Sequence, residues 1–298
     1  MEIRDALDAL LQALYSGVLS GSVYGLMAIG LTLIWGSLRM LNLAHGALYI
    51  AGAYIAYGVL SALGLPLLVT FVLAVGGAAL IGLAIQLVLI NPILENPGRD
   101  SASLIATLAA SIVVQSAILL VFGGQTKQLP PLLDGGFKVG TTLMSYQGLV
   151  VIGAAVVCLG LMTVFLRVSR RGLAIRAISQ NMDAARLMGI PIVPTFVVVM
   201  VISAALAGLA GVLLGSMLFF TPSAGFTPML MAMVVTIFGG LGSVTGTIWA
   251  AYIIGLMESF VAVFVGPSWA LPGIFLFMIV MLVIRPNGLF GLGEARRL

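Results

Sequence analysis

The chain has 298 residues, of which 61% are hydrophobic and only 7% are charged, against about 25% charged in an ordinary soluble domain. Its 13 basic and 9 acidic side chains are too few to cover the surface of a soluble protein of this length. Disordered chains are poor in apolar residues, so the same figures exclude disorder. The net charge of +4 does not indicate nucleic-acid binding, because the basic residues are not spread over a folded surface. The composition predicts a polytopic membrane protein.

Long neutral stretches between the charged residues give the expected membrane spans. A membrane helix needs about 20 largely apolar residues, so we expect an all-α protein of about 8–10 transmembrane helices, forming one transmembrane domain over residues 1–298. No series of ten-residue alternating segments is present, which argues against an outer-membrane barrel. The expected helix cores, in chain order, cover residues 12–33, 46–62, 66–89, 101–122, 148–166, 193–217, 228–244, 247–264 and 269–284.

The arginines predict the orientation. Five arginines and one acid lie in residues 167–186, and the C-terminal end carries Arg285, Arg296 and Arg297. Because basic loops stay on the cytoplasmic side, we expect both regions to be cytoplasmic. Residues 187–284 between them should then cross the membrane four times.

The same reasoning extends toward the N-terminus. Counting backward, residues 123–146 face outward, and the charged segment 95–100, which begins with Glu95, faces inward. The N-terminal end lies outside if residues 9–62 cross twice and inside if they cross three times. The sequence leaves these two alternatives open.

Two segments interrupt the apolar sequence. Residues 36–46, GSLRMLNLAHG, contain Arg39, Asn42 and His45, and residues 239–246, GGLGSVTG, contain four glycines and two hydroxyl side chains. Non-helical backbone at membrane depth is tolerated only where it is buried in protein or lines a water-filled cavity. We interpret both segments as interrupted or re-entrant elements beside a pathway.

Small residues form two helical ridges, which let membrane helices approach closely. Internal packing is the simpler interpretation of both ridges, and a subunit interface is the alternative. The ridges consist of Gly17, Gly21 and Gly25, and of Ala204, Gly208, Gly211 and Gly215.

The reactive side chains that a membrane enzyme needs are missing from the sequence. His45 is the only histidine and Cys158 the only cysteine, so no metal-binding motif is expected. No GxSxG, HExxH or Walker A sequence is present. We therefore expect no catalytic residue, no metal and no cofactor, and the sequence argues against an intramembrane enzyme.

Glu258 is an acid within apolar sequence. A charged carboxylate at mid-bilayer costs at least about 2.5–3.5 kcal/mol, so this side chain should face protein or water. It either packs helices by bonding a neighbouring group, contributes to a substrate pathway, or lies at the membrane interface. For His45 two alternatives apply: it either bonds a neighbouring group to pack helices together or contributes to a substrate pathway. A stand-alone carrier usually needs coupling-ion ligands near the midplane. Glu258 alone supplies too few ligands for such a site, which argues against a stand-alone carrier.

Residues 169–190, SRRGLAIRAISQNMDAARLMGI, form a short amphipathic element with a basic face between two spans. Its arginines could serve topology alone, as part of a solvated loop. A protruding helix that docks into a groove of a cytoplasmic partner would also explain the ordered pattern of small and apolar residues.

Three segments of this chain resemble permease subunits of importers for branched-chain amino acids. These permeases belong to the ATP-binding-cassette class and share a superfamily with ribose-type sugar permeases. Residues 172–190 are similar to the coupling loop of the family, residues 20–54 to its N-terminal signature, and residues 239–260, with Glu258, to its glycine-rich C-terminal signature. The resemblance covers nearly the whole chain.

The N-terminal signature also contains a departure from the family. Its Asn-x-Ala-His-Gly element is present and ends with His45 and Gly46, but Ala47 stands where an acidic residue is expected. This leaves open a substrate other than leucine, isoleucine or valine, such as urea, a short amide or another amino acid.

The resemblance implies a division of labour in a bacterial or archaeal cytoplasmic membrane. A soluble binding protein captures the substrate outside, two permease subunits surrounded by lipid form the path, and two ATPase subunits drive alternating access. The second permease is expected to be a different homologous chain, with a homodimer as the alternative. No cofactor is implied.

The coupling loop at about 168–190 is expected to contact the ATPase. In this hypothesis, the alanines permit close approach, the glycines allow sharp turns, and the charged residues orient the element. The expected coupling residues are Arg170, Gly172, Arg176, Asp183, Ala184, Ala185 and Gly189, and the expected pathway residues are Asn42, His45 and Glu258.

Overall fold

The computed structural model describes residues 2–94, 98–140 and 142–291. Glu95, Arg296 and Arg297, which contribute to the predicted orientation, lie outside the described residues. The described helices are α1 (Glu2–Leu38), α2 (His45–Leu63), α3 (Leu67–Ile85), a π-helical segment (Gln86–Ile90), α4 (Asn91–Ile93), α5 (Arg99–Phe122), α6 (Tyr146–Val168), α7 (Arg170–Gln180), α8 (Met182–Leu187), α9 (Ile192–Gly215), α10 (Phe226–Gly239), α11 (Val244–Phe264), a 3-10 turn (Pro267–Trp269) and α12 (Ala270–Ile284).

Eight of the described helical stretches are long and apolar enough to cross a membrane, which confirms the prediction of an all-α polytopic membrane protein. The expected core at 228–244 is an exception. It corresponds to α10, which has 14 residues and is about 21 Å long at 1.5 Å per residue, too short for a hydrocarbon core of about 30 Å. The helix ends because Gly240 and Gly242 adopt φ values of 100° and 87°, which turn the chain into α11.

The interruption expected at residues 239–246 is short. Only residues 240–243 are non-helical, and they form a tight turn at the end of α10. A Cβ atom added to Gly36, in the last turns of α1, would lie 3.3 Å from Gly242 Cα and 3.7 Å from Ser179 Cβ. The turn thus lies beside α7, at one end of the bundle.

This end, which we call the arginine face, also holds the chain after α12. Leu289 and Phe290 donate backbone hydrogen bonds to the carbonyl oxygens of Phe238 and Gly239, at 2.8 and 3.2 Å. The C-terminal end of α10 is therefore enclosed by residues that follow Arg285 and by the α10–α11 turn.

The other end, which we call the hairpin face, carries the only two described strands, β1 (Gly136–Val139) and β2 (Thr142–Ser145), paired in antiparallel register. Thr142 Oγ1 donates to the Asp8 carbonyl oxygen at 3.1 Å, so the N-terminal end of α1 lies here. Residues 9–62 consequently cross twice, by α1 and α2. From α8 to Arg285 the chain passes four times between the faces, as the sequence predicts.

Helix α1 lies at the centre of the bundle and runs antiparallel to α11. A Cβ atom on Gly17 would lie 2.7 Å from Leu256 Cα, and one on Gly21 would lie 2.9 Å from Tyr252 Cα. In the second ridge, a Cβ atom on Gly208 would lie 2.4 Å from Ala78 Cβ. These contacts are within one chain, so at these glycines the ridges pack helices of this chain together.

Candidate functional site

The first break in a membrane span lies between α1 and α2. Arg39 ends α1 with a left-handed φ of 55°, and its N–H group donates to the Trp35 carbonyl oxygen at 3.0 Å. Residues 39–44 then return toward the interior without helical structure. Asn42 stabilises this segment, because its Oδ1 accepts the Ala44 N–H group at 3.0 Å.

Helix α2 begins inside the bundle, at His45. The His45 Nε2 atom lies 3.0 Å from the Met27 carbonyl oxygen, and Met27 is 11 residues before the end of α1 at Leu38, about 16 Å along the helix. His45 Nδ1 lies 3.4 Å from Ser203 Oγ of α9. This fully buried histidine therefore joins three helices well inside the protein.

Asn42 belongs to the same buried cluster. Its side chain is 2% exposed, and Nδ2 lies 3.5 Å from the Met200 sulfur atom of α9. The backbone N–H of Leu43 donates to Thr107 Oγ1 of α5 at 3.2 Å. The first break is thus buried in protein, as a non-helical segment at this depth requires.

The second break, residues 216–225 between α9 and α10, is a feature that the sequence analysis missed. Within it, the backbones of Phe220 and Lys127 exchange two hydrogen bonds of 2.9 Å, and Gln147 Nε2 donates to Ser216 Oγ. These bonds anchor the start of the break to the loop before the hairpin and to α6. The available signal was Pro222 followed by Gly225, because both residue types interrupt helices.

The two breaks meet at a pair of glycines. A Cβ atom on Gly46 would lie 2.4 Å from the Gly225 carbonyl oxygen, and one on Gly225 would lie 2.1 Å from the Gly46 carbonyl oxygen. No larger residue fits without movement of the backbone. From this crossing, α2 runs to the hairpin face and α10 runs to the arginine face. Discontinuous helices that meet near the midplane, in opposite directions, are typical of substrate sites in membrane transporters.

Three threonine hydroxyls hold α10 against its neighbours between the crossing and the arginine face. Thr32 Oγ1 of α1 lies 2.7 Å from Thr247 Oγ1 of α11 and 3.4 Å from Thr236 Oγ1 of α10. Thr236 Oγ1 also lies 3.1 Å from the Ala28 carbonyl oxygen. Nothing in the sequence pattern had marked this buried group.

Glu258 lies apart from Asn42 and His45. Its Oε1 atom accepts a hydrogen bond from the Tyr24 hydroxyl of α1 at 3.0 Å, and its Oε2 atom is buried without a partner among the described residues. The structure thus brings two of the three expected pathway residues into one cluster and the third into a separate pair. All three make contacts inside the protein.

Helices α7 and α8 protrude at the arginine face, and each begins with a side-chain cap. Ser169 Oγ accepts the Gly172 N–H at 2.8 Å, and Asn181 Oδ1 accepts the Ala184 N–H at 3.0 Å. Gly189 follows α8 with a φ of 78°, so the expectation of a sharp turn there is met.

Gly172 and Ala185 face inward, and for Ala185 this differs from the role expected from the sequence. A Cβ atom on Gly172 would lie 2.3 Å from the Phe165 carbonyl oxygen, so this glycine lets the start of α7 pack closely on the end of α6, at the sharp turn between the two helices. Ala185 is only 4% exposed. The other expected coupling residues are exposed: Arg170, Arg176, Asp183, Ala184 and Gly189.

Two apolar side chains of the same element project into solvent. Leu187 is 88% exposed and Met188 is 82% exposed. Both belong to the amphipathic pattern, but the sequence did not indicate that they, and not Ala185, form its outer surface. Within the described ranges, no group of three or more histidine, cysteine or acidic residues could hold a metal ion.

Comparisons with known proteins agree with this architecture. The family model described as "Branched-chain amino acid transport system / permease component" matches residues 13–284. The "High-affinity branched-chain amino acid transport system permease protein LivH" of Escherichia coli K12 is 32% identical, over 96% of this chain and 97% of the relative. BraD, the protein of the same description from Pseudomonas aeruginosa, has the same identity and coverage.

A more distant relative and a solved structure extend the comparison. The "Probable branched-chain amino acid transport permease protein LivH" of Methanocaldococcus jannaschii is 30% identical, over 93% of this chain and 91% of the relative. The structure of PsaBC from Streptococcus pneumoniae in complex with Fab shares the fold, with a TM-score of 0.52 and 16% identity, covering 94% of this chain and 92% of that one. The chain therefore belongs to the family of branched-chain amino acid transport system permease components.

Proposed function

We propose that this chain is the membrane-spanning permease subunit of an ATP-binding-cassette importer that carries branched-chain amino acids across the cytoplasmic membrane. The observation that carries the proposal is the 32% identity, over 96% of the chain, to permeases named for high-affinity transport of these amino acids. Because the sequence contains no Walker A motif, ATP hydrolysis resides on separate ATPase subunits.

The two broken spans support a mechanism of alternating access. They place the N-termini of α2 and α10 at the Gly46–Gly225 crossing, and in transporters such discontinuous helices lie at the site around which the protein rocks or gates. Asn42 and His45 hold the start of α2 against α9, and Glu258 ties α11 to α1 through Tyr24. In this proposal, these three residues hold the helices that line the pathway at fixed positions relative to one another.

Helices α7 and α8 are the proposed coupling element. Leu187 and Met188 offer exposed apolar side chains that a groove on an ATPase can bury, and the surrounding arginines orient the contact. Ser179 on α7 lies beside Gly36 of α1, and Gly36 lies beside Gly242, so a displacement of the coupling element reaches α1 directly and the turn before α11 through Gly36.

The remaining partners occupy the other surfaces. A second permease subunit, of different but homologous sequence, completes the path, and a substrate-binding protein docks at the hairpin face. A polar cavity of about 520 Å³, lined by Asp5, Asp8, Gln12 and Tyr15 among others, opens there and offers hydrogen-bonding groups to that partner.

Reconstitution in vesicles tests the proposal. The chain, the homologous permease, the two ATPases and the binding protein should together import radiolabelled leucine only when ATP is present. Isoleucine and valine should compete for uptake. Competition by urea or a short amide instead would replace the proposed substrate, and leucine uptake by this chain alone would make it a stand-alone carrier.

A further inference from the structure

The turn between α6 and α7 concentrates arginines at one point of the arginine face. Arg167, Arg170 and Arg171 lie within five residues and are all exposed, and we call them the junction arginines. Residues 167–182 contain a fourth arginine and no acid. Among the contacts of the described residues, none gives the side chain of a junction arginine a carboxylate or any other hydrogen-bond partner. Three positive charges are therefore available to a group outside this chain.

Arg167 lies at the membrane boundary. Helix α6 has 23 residues and is about 35 Å long at 1.5 Å per residue, so it just exceeds a hydrocarbon core of about 30 Å. Arg167 is the second residue from the end of α6, on the side of the arginine face. It is thus at the level of the lipid headgroups on that side.

Arg167 also lies on the face of α6 that is directed into the bilayer. Leu161, Val164 and Val168 are 63%, 57% and 80% exposed, and their spacings of three and four residues place them on one helical face. Hydrocarbon tails cover such a continuous apolar helix without loss of hydrogen bonds. Arg167 follows Val164 by three residues and shares this face. A lipid whose tails lie along α6 therefore has its headgroup beside Arg167.

The turn after α6 brings the other two junction arginines to the same place. Ser169 has an extended backbone, with φ −80° and ψ 148°, and caps α7 by accepting the Gly172 N–H. Because Gly172 packs directly on the Phe165 carbonyl oxygen, the first turn of α7 stays against the last turn of α6. The two arginines of that first turn are consequently close to Arg167.

We infer that the junction arginines bind the phosphate group of an anionic phospholipid, such as phosphatidylglycerol, in the cytoplasmic leaflet. A guanidinium group can hold two phosphate oxygens through parallel N–H groups, and basic side chains next to a membrane helix attract anionic headgroups. The site matches both parts of this ligand, since the apolar face of α6 receives the tails and the arginines receive the phosphate. The inference goes beyond the proposed function and does not depend on the transported substrate.

This site is separate from the surface proposed for the ATPase. The junction arginines lie beside a face of α6 that is directed sideways into the bilayer, whereas an ATPase approaches from the cytoplasm. Leu187 and Met188, the exposed apolar side chains proposed for the ATPase contact, lie at the other end of the coupling element. A lipid bound at the junction holds the start of this element at the membrane surface while its other end contacts the ATPase.

A fluorescent probe at Val168 tests the inference, because Cys158 is the only cysteine and Cys158→Ala provides a thiol-free parent. Val168→Cys is made in this parent, labelled and assembled into the complete transporter in phosphatidylcholine vesicles. The matched control is Val283→Cys, because both valines are 80% exposed and Val283 lies at the arginine-face end of α12. Spin-labelled phosphatidylglycerol or spin-labelled phosphatidylcholine is then titrated in as the quencher.

We expect phosphatidylglycerol to quench the Val168 probe at an at least roughly ten-fold lower concentration than phosphatidylcholine. Arg167→Gln together with Arg171→Gln should remove most of this preference, since each arginine near an anionic surface strengthens binding about five-fold. The Val283 probe, which lies beside Arg285, should show a smaller preference that the double variant leaves unchanged. Molar salt should weaken the preference at Val168, because the Debye length then falls to about 3 Å.

Equal quenching by the two lipids at Val168, or a preference that the double variant leaves unchanged, overturns the inference. Titration of the ATPase tests the competing occupant, with Arg186→Gln on α8 as the comparison. If the double variant weakens ATPase binding as much as Arg186→Gln does, the junction arginines belong to the ATPase contact and the inference fails. Displacement of the spin-labelled lipid by millimolar inorganic phosphate would assign the site to a soluble anion instead.

Leucine uptake by the same vesicles separates this inference from the proposed function. Uptake without a lipid preference at Val168 defeats the lipid site alone. A lipid preference that depends on the junction arginines, in vesicles that import no branched-chain amino acid, defeats the proposed substrate and supports the lipid site.

Discussion

Replacement of Leu187 by alanine tests the proposed coupling element at its most exposed point. The Leu187 side chain is 88% exposed, so it contributes almost no packing within the chain. Its truncation should therefore leave the free energy of unfolding of the permease unchanged. If an ATPase buries this side chain, its truncation should weaken the binding of the ATPase, and the whole loss of free energy should be measured in the complex.

The magnitude follows from the groups removed. Leucine exceeds alanine by three CH₂ equivalents, each worth about 0.8 kcal/mol when buried. Full burial in an ATPase groove predicts a loss of about 2.4 kcal/mol, which is about a 50-fold increase in Kd. Coupled ATP hydrolysis should fall at limiting ATPase concentration and recover when the ATPase is in excess.

The assay is titration of the ATPase onto permease held in lipid nanodiscs, with thermal unfolding of the permease measured in parallel. Leu143→Ala is the matched control, because Leu143 is 64% exposed but lies in β2 at the opposite face. A Kd for Leu187→Ala within about two-fold of the control, well under one factor of ten or 1.4 kcal/mol, would refute the assignment of α8 as a docking surface.

Three further changes test the orientation, Glu258 and the crossing. A reporter fused after Arg176 should read cytoplasmic and one near Asp134 external, because basic loops stay inside; the same side for both would invalidate the topology. Glu258→Gln should lower uptake about ten-fold, equivalent to ~1.4 kcal/mol, with folded yield unchanged, and unaltered uptake would leave Glu258 a helix-packing residue. Gly225→Ala places a Cβ atom 2.1 Å from a carbonyl oxygen and should destabilise the fold by about 1–3 kcal/mol, the usual cost of overpacking. Gly76→Ala, where a Cβ atom meets nothing within 4 Å, should be neutral in the same thermal unfolding assay, and equal stability of the two variants would contradict the crossing.

The membrane spans could be predicted because the length of an apolar stretch is a property of the sequence alone. The break at 216–225 shows where that signal ends. Leu218, Phe219 and Phe220 continue the apolar run although the chain there is no longer helical. Hydropathy cannot distinguish an apolar helix from an apolar extended segment, so the sequence showed the second break only as a connection between the expected helices at 193–217 and 228–244.

The coupling element illustrates a limit of helical periodicity. Asn181 has a ψ of 107° and caps α8, so the helical phase that α7 establishes does not carry into the next six residues. Without that phase, the sequence could not indicate that Ala185 turns inward while Leu187 turns outward. The amphipathic character was predictable, and the direction of the outer surface was not.

The sequence predicts that a polar residue within an apolar span must face protein or water, but it does not predict which residue is its partner. The cost of an exposed carboxylate in lipid dictates that Glu258 faces protein or water, but its partner Tyr24 is 234 residues away along the chain. His45 likewise reaches Ser203 of α9, 158 residues away. Only the folded arrangement of α1, α9 and α11 brings these atoms together.

The contacts at the two ends of α10 explain why small residues occupy both. At the arginine face, Gly242 contacts Gly36, and Ser179 of α7 lies against the same point. At the inner end, Gly225 lies directly on the backbone of Gly46. Contacts between backbones contain no flexible side chain to absorb a displacement, and packed interiors have low compressibility. In the proposed transport cycle, a movement of α7 therefore has a short and stiff route to the crossing where both spans are broken.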